Sequence, residues 1–287
     1  MTYSKISIVT PSFNQGEYIE RTIRSVLGQQ YPYLEYLFLD GGSTDNTLTI
    51  VEPYKSKLSY FVSAPDGGQG DAIASGFERS TGEILGYLNS DDLLAPGALH
   101  FVNEFFRQNP RIDFIYSHRL AIDEEDNVIW YWILPRHVSY LMKRWDFIPQ
   151  ETCFWRRRLL DKCGSIDRSF RFAMDYDLFV RFMTNGRFGR VNRFLAAFRV
   201  HSGSKTSTHF ATVGQEEFQK LWVKNNVRWR SMDGLLSLWY NKLPSEFGRI
   251  HANSRRWLPG SFVGVGYNFN EVWGGYLRKR NPTDSQT

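Results

Sequence analysis

The stretch Glu83–Leu99, EILGYLNSDDLLAPGAL, decides the fold. Ile84 to Leu88 is an apolar run of strand length, and it stops on Asn89-Ser90-Asp91-Asp92 before apolar residues resume. Ser or Asp here can cap a helix beginning near Pro96. Two adjacent carboxylates exceed what one cap needs. Oxygen ligands at the C-terminal edge of a buried strand suit a hard divalent cation that also engages phosphates.

The same punctuation recurs on both sides of this stretch. Ile6 to Thr10 reads as a short strand stopped by Pro11, followed by Ile19, Ile23, Val26 and Leu27 at helical spacing. LEYLFLD ends on Asp40, Gly41-Gly42 turns the chain, and Ser43 or Thr44 is placed to cap a helix through about Tyr54. SYFVS is a third strand, leading through a Gly-rich loop to a helix from about Asp71. Beyond the 84–88 strand, a helix from about Pro96 to Arg107 precedes the strand 113–117. Strands alternating with helices predict βαβ units, a mostly parallel Rossmann-like sheet flanked by helices, with ligands at the carboxyl ends of the strands. The polar residues Thr10-Pro11-Ser12, Asp40, Asp66 and Asn89 to Asp92 all fall at those ends.

After residue 118 the pattern changes. RLAIDEEDNVIWYWIL alternates around Glu124 to Asn127 and predicts a small antiparallel hairpin. WRRRLLDKCG and FAMDYDLFVRFMTNG predict short helices closed by glycine, and FGRVNRFLAAFRVHSGS a strand entering a polar loop. This gives a domain over 1–205, with a nucleotide-binding half at about 1–117 and an acceptor half at about 118–205. An extension, mainly helical or irregular, covers 206–287.

Composition bounds the function. Hydrophobic residues make up 42% of the 287, ample for a core. The net charge of +5 comes entirely from the extension: residues 1–205 hold 24 basic and 24 acidic residues, and 206–287 hold 11 and 6. Two cysteines, Cys153 and Cys163, make neither a disulfide framework nor a zinc site. The first residues lack a signal-peptide apolar region, and no apolar run is long enough to span a bilayer, so a cytoplasmic location is expected.

TPSFN, DGGSTDNT, NSDD, MDYDLFVRF and RVHSGS, in this order and spacing over residues 5–205, resemble the family 2 glycosyltransferases with the GT-A fold. The resemblance implies inverting transfer of a sugar from a nucleoside diphosphate sugar, with UDP the expected carrier, assisted by Mn²⁺ or Mg²⁺, to a glycan or lipid-linked glycan. The D-x-D motif matches Asn89-Ser90-Asp91, so Asp91 is expected to bind the metal, with Asp92 in support. Asn89 replaces the first acid of the motif, which removes a charge but keeps a hydrogen-bonding amide.

The resemblance further implies that Thr10, Pro11 and Ser12 line the base pocket and that Asp40 contacts base or ribose. Asp66 and Gln69 are candidates for the ribose or sugar, with Asp71 behind them. Asp45 is open between pocket ligand and helix cap. His201 is expected as a metal ligand or diphosphate contact, and Lys205 and Ser204 meet the leaving diphosphate from a loop freed by Gly203. Asp175 is expected as the general base, where the motif often reads Glu-Asp and Met174 stands here. Asp177, two residues on, points away. Gln150 and Glu151 are candidates for sugar or acceptor contacts, and Trp155 for an apolar face against a sugar ring.

The extension carries Trp222, Trp229, Trp239, Trp257 and Trp273 among its basic residues. Tryptophan favours membrane interfaces and Lys/Arg anionic lipid, so peripheral attachment at the inner membrane face is one reading. The other is that the extension packs on the catalytic domain. Nucleic-acid binding is disfavoured, since no reading motif accompanies the charge. Two further readings stay open: a sugar-phosphate nucleotidyltransferase, and an inactive carbohydrate- or nucleotide-binding relative.

Overall fold

The computed structural model describes residues 2–204, 213–240 and Phe269. Lys205, Trp257, Trp273 and most of the extension lie outside the described residues. Among those described, nine strands form one sheet.

The first half follows the alternation. β1 (Ile6–Ser12), α1 (Ile19–Leu27), β2 (Leu34–Asp40), α2 (Thr47–Val51), β3 (Tyr60–Ser63), α3 (Gln69–Arg79) and β4 (Ile84–Tyr87) succeed one another. β1 pairs in parallel with both β2 and β4, and β2 with β3. α2 is shorter than expected. Pro53, lacking an N–H, ends it, and the chain continues as a 3₁₀ turn over Glu52–Lys57. Nothing in α2 is capped by Ser43 or Thr44. α3 opens after Gly68, at φ 100°, and lies close on the sheet: a Cβ on Gly76 would come within 2.4 Å of Val9 Cγ1.

The second half is mixed. β5 (Leu93–Leu94), α4 (Ala98–Gln108), β6 (Phe114–Ile122) and β7 (Val128–Trp132) are followed by the short α5 (Ser139–Met142). β8 (Phe154–Arg156), α6 (Arg157–Cys163), α7 (Met174–Asn185) and β9 (Phe188–Arg199) complete the sheet. The strand order is β3-β2-β1-β4-β8-β6-β9-β5, with β7 on β6. β8 runs antiparallel to β4 and β6, β6–β7 is the expected hairpin, and β9 runs parallel to β6. The strand foreseen over 113–117 reaches Ile122 because β9 supplies a partner along its length.

Alternation divides the core between the two faces of the sheet. Ile6 and Ile8 pack with α1 and α4, whereas Val9 packs with α3, Trp155 and α7. Trp155 is fully buried, stacked at 6.1 Å on Phe114 and edge-on to Phe77 and Phe182. It is a core residue and presents no face to a ligand.

Beyond residue 205, α8 (Gln215–Lys224) packs on α7. Phe218 meets Tyr176 at 5.2 Å, Lys224 pairs with the buried Asp177 at 2.8 Å, and Trp222 donates its indole N–H to Arg144 O at 3.1 Å. Phe269 inserts into the cluster beneath the β6–β7 hairpin, and its N–H bonds Asp126 O at 2.8 Å.

Candidate active site

The carboxyl ends of β1, β2 and β4 open onto a cavity of about 440 Å³, lined by Pro11, Ser12, Asp66, Gln69, Ser90 and Asp91 among others. The Ser12 hydroxyl is buried there without a hydrogen-bond partner. Asp66 receives the Gly68 N–H at 2.7 Å, and burial raises its pKa. Two expected pocket residues lie deeper. Thr10 is fully buried and accepts from the Tyr36 hydroxyl at 3.2 Å. The Asp40 carboxylate is 2% exposed and receives Gly42 N, Ser43 N, Ser43 Oγ and Ser63 Oγ at 3.1, 2.9, 2.5 and 2.7 Å. Four local donors hold it as the clamp of the β2–β3 corner, and neither residue lines the cavity. Asp45 resolves to a clamp as well, taking Thr47 N at 3.0 Å and Gly16 N at 2.9 Å. Asp71 pairs with Arg168 at 2.8 Å and accepts the Gly67 N–H at 3.1 Å.

The NSDD turn is tied down by Arg199 at the end of β9. This fully buried side chain donates Nε to Asp91 O at 2.8 Å and Nη1 to Asp123 O at 2.6 Å, and meets Asp126 Oδ1 at 2.5 Å. Its backbone N–H reaches Asp92 Oδ1 at 3.0 Å. Asp92 is 1% exposed, and burial followed by the neighbouring Asp91 charge raises its pKa well above the usual range. Asp91 instead faces the cavity, with its Oδ2 3.0 Å from His201 Nε2. His201 is held against Tyr18, with ring centroids 4.6 Å apart. One carboxylate and one imidazole, in contact at the rim, match the few protein ligands that a nucleotide-borne cation takes. Among the described residues no group of three His, Cys, Asp or Glu side chains could hold a metal unaided.

A second cavity, of about 660 Å³, adjoins the first and shares Gln69, Asn89 and Phe198 with it. Three amides form a directed chain across this border. Gln69 Nε2 donates to Asn89 Oδ1 at 2.7 Å, Asn89 Nδ2 to Gln150 Oε1 at 3.2 Å, and Gln150 Nε2 to Tyr87 O at 2.8 Å. Glu151, also in the wall, forms a two-pronged ion pair with Arg119 at 2.9 Å for each bond. Burial works against the Arg119 charge, yet the Glu151 carboxylate prevails and raises its pKa.

Asp175 lines this second cavity from the first turn of α7, where its Oδ1 accepts the Tyr176 N–H at 2.8 Å. Burial pushes its pKa up to about 6. Asp177 points the other way, into ion pairs with Arg181 and Lys224 at 2.8 Å each. The sequence reading missed Asp146, which faces the same cavity and whose pKa is raised well above the carboxylate range by burial and the Asp175 charge. It also missed the aromatic wall of Trp132, Trp145, Phe147, Phe172, Phe218 and Trp222. A signal for Asp146 existed: an acid between Trp145 and Phe147 with no helix for it to cap.

Residues 7–165 match the model of the family described as Glycosyl transferase family 2. The chain belongs to that family, and it is a glycosyltransferase. An uncharacterized glycosyltransferase of Rickettsia typhi is 29% identical over 231 residues, covering 77% of this chain and 71% of that protein. Among solved structures, S. aureus TarS 1-349 in complex with UDP-GlcNAc superimposes with a TM-score of 0.63 at 18% identity, over 96% of this chain and 81% of that one. Mannosyltransferase PcManGT from Pyrobaculum calidifontis, in complex with GDP-Man and Mn²⁺, gives 0.61 at 14% identity, over 98% and 89%. The fold is GT-A.

Proposed function

We propose that the protein transfers a sugar from a UDP-sugar to a hydroxyl of a glycan or lipid-linked glycan, inverting the anomeric carbon, with Asp175 as general base. The observation that carries this is the pair of adjoining cavities, one lined by Asp91 with His201 against its carboxylate at 3.0 Å, the other lined by Asp175. The nucleotide occupies the first, with Pro11, Ser12 and Asp66 around it, and the acceptor enters the second. Asp175 takes the proton from the acceptor hydroxyl. The hydroxyl oxygen bonds to the anomeric carbon from the face opposite the diphosphate. The bond from carbon to phosphate oxygen breaks, and its electron pair leaves with the diphosphate. A pKa near 6 leaves Asp175 ionised at neutral pH yet basic enough to accept a proton.

Asp91 and His201 would hold Mn²⁺ or Mg²⁺, which offsets the charge of the leaving diphosphate. Gln69 and Asn89, on the border between the cavities, suit the donor sugar. UDP is favoured over GDP because the TarS neighbour was solved with UDP-GlcNAc, although the PcManGT neighbour carries GDP-Man. No helix of the described residues is long and apolar enough to cross a membrane. Leu235, Leu236, Leu238 and Trp239 are exposed beside the basic residues of the extension, which supports peripheral contact with an anionic inner membrane face.

Nucleotide-sugar hydrolysis, screened over UDP, GDP and dTDP sugars with and without Mn²⁺, tests the reading. Metal-dependent turnover of a UDP-sugar is expected. A tenfold preference for a GDP-sugar would remove the UDP assignment, and no hydrolysis of any donor would favour the inactive-relative reading.

A further inference from the structure

The backbone of the NSDD turn is held from two directions. Asn89 O accepts the Asp92 N–H at 3.2 Å, which closes the turn on itself. Thr22 Oγ1, on α1, reaches Ser90 O at 2.9 Å and Asp92 O at 2.8 Å. The remaining carbonyl, Asp91 O, is taken from the other side by Arg199 Nε at 2.8 Å. The same guanidinium lies 5.1 Å from the centre of the Tyr18 ring, and that ring packs on His201 at 4.6 Å. One buried side chain therefore stands behind both members of the Asp91–His201 pair.

Arg199 is itself held by the turn of the β6–β7 hairpin. Asp123 O and Glu124 O accept Nη1 at 2.6 and 3.3 Å, and Asp126 Oδ1 lies 2.5 Å from Nη2. Asp126 also pairs with Arg21 at 3.0 Å, and Arg21 donates to Glu124 O at 2.6 Å. Asp126 sits at φ 70°, a left-handed backbone that persists only where its surroundings maintain it. Phe269 gives part of that support. Its N–H bonds Asp126 O at 2.8 Å, and its ring, 2% exposed, shares an apolar cluster with Leu93, Ile122, Val128 and Ala197. Leu93 follows Asp92 directly, so this cluster also backs the end of the NSDD turn.

We infer that Arg199 is the positioning residue for Asp91 and His201, and that the extension reaches this pair through it, Phe269 locking the hairpin turn that aims the guanidinium. This rests on the assignment of Asp91 and His201 to the cation. A guanidinium suits the task because its planar fork can bond a carbonyl on one side and a carboxylate on the other while staying charged. A lysine offers one point charge and cannot span both.

Calorimetry of UDP binding to the full chain, with and without Mn²⁺, tests this together with hydrogen exchange on the metal-free protein. Removing a group that orients a metal ligand costs about 10- to 100-fold in metal affinity. Asp126→Asn, which keeps the backbone bond to Phe269 but removes the charge facing Arg199, is expected to weaken Mn²⁺-dependent UDP binding within that range and to leave metal-free binding near wild type. Phe269→Ala is expected to weaken the Mn²⁺-dependent binding about threefold to thirtyfold. Phe269→Leu, which still fills the cluster, is expected to restore most of it. The two losses combined should fall short of their sum, since both act through one guanidinium. Without metal, both Asp126→Asn and Phe269→Ala should exchange faster at residues 89–92 and 123–127, with β1 unchanged. A lower melting temperature with metal dependence still within about twofold of wild type would make Phe269 a plug of the cluster and overturn the inference, as would fully additive losses. Asp91→Ala separates the two assignments. Wild-type metal dependence in that variant removes the cation from Asp91 and this inference with it. Loss of metal dependence there, with Asp126→Asn and Phe269→Ala unaffected, removes only the present inference.

Discussion

The Glu217 carboxylate, 5% exposed on α8, accepts the backbone N–H of Ala173 at 2.8 Å, and also those of Arg171 and Phe172 at 2.8 Å each. These donors lead directly into α7, so an acid from the extension fixes the start of the helix that presents Asp175 and sits at its positive end. A hydrogen bond to a charged group contributes on the order of 1.5–3 kcal/mol, and a neutral amide keeps only part of that. Glu217→Gln is therefore expected to lower stability by about 2–4 kcal/mol in urea unfolding. At a temperature where it remains folded, kcat should fall while the donor KM stays near wild type. An unchanged kcat would reduce Glu217 to a purely structural cap.

Asp175→Asn should reduce turnover by about 10²–10⁴, the usual contribution of general acid–base catalysis, without changing UDP affinity. The wild-type rate should rise with pH through about 6 and then level off, because only the ionised carboxylate accepts the proton. Stability follows the same shift with a definite sign. The folded-state pKa lies above the unfolded one, so the contribution of this group is fully favourable below about 4 and is lost as pH rises through about 6. The Asn variant should thus melt above wild type at pH 7.5, and the difference should vanish near pH 4. Asp177→Asn should retain turnover when folded but lose stability, since it strips the buried partner from Arg181 and Lys224.

Asp91→Ala should abolish the metal dependence of UDP binding and weaken binding in Mn²⁺ at least about tenfold, as loss of a ligand exceeds loss of an outer-shell partner. Calorimetry with and without Mn²⁺ reads this. Wild-type affinity in the variant would return the NSDD turn to a capping role.

Asn89→Asp tests whether restoring the acid of the family motif restores anything. Asn89 donates to Gln150 Oε1, and Gln150 is oriented by its own donation to Tyr87 O. An aspartate cannot donate at that point, so two acceptor oxygens would face each other, and flipping Gln150 would only move the conflict to Tyr87 O. A loss of about 1–3 kcal/mol is expected, with no gain in UDP affinity. Tighter metal-dependent binding in the variant would contradict this account.

The residues that line the first cavity were the more legible in the sequence. β1 ends in Ser12, and β3 and β4 run on into Asp66 and Asn89 to Asp91, which marks the sheet edge where the first cavity lies, because burial and polarity switch abruptly there. Asp40 reads as a nucleotide contact and Asp45 stays open between ligand and cap, because acids at strand ends are ambiguous. Their use as clamps depends on Ser43, Ser63 and Gly16, whose approach is a matter of tertiary structure. Trp155 failed for a similar reason: a single aromatic on a three-residue strand has no periodicity to say which way it faces. The second cavity was least legible. Asp146, Arg119 and Trp222 come from a loop, a strand and the extension, and no local pattern links them.

The two cavities border each other at Gln69, Asn89 and Phe198, and the family match ends at residue 165, before Asp175, His201 and α8. Both cavities draw on both lengths of chain, the first through Phe198, Gly203 and Ser204 and the second through Tyr87, Arg119, Asp146 and Glu151, and α8 lines the second alone. Exchanging residues 213–240 for the equivalent segment of a relative should re-address the enzyme to another acceptor while the donor KM holds. On the proposed assignment evolution has the same latitude: one helix and its flanks can be rewritten while the residues around Asp91 are carried over.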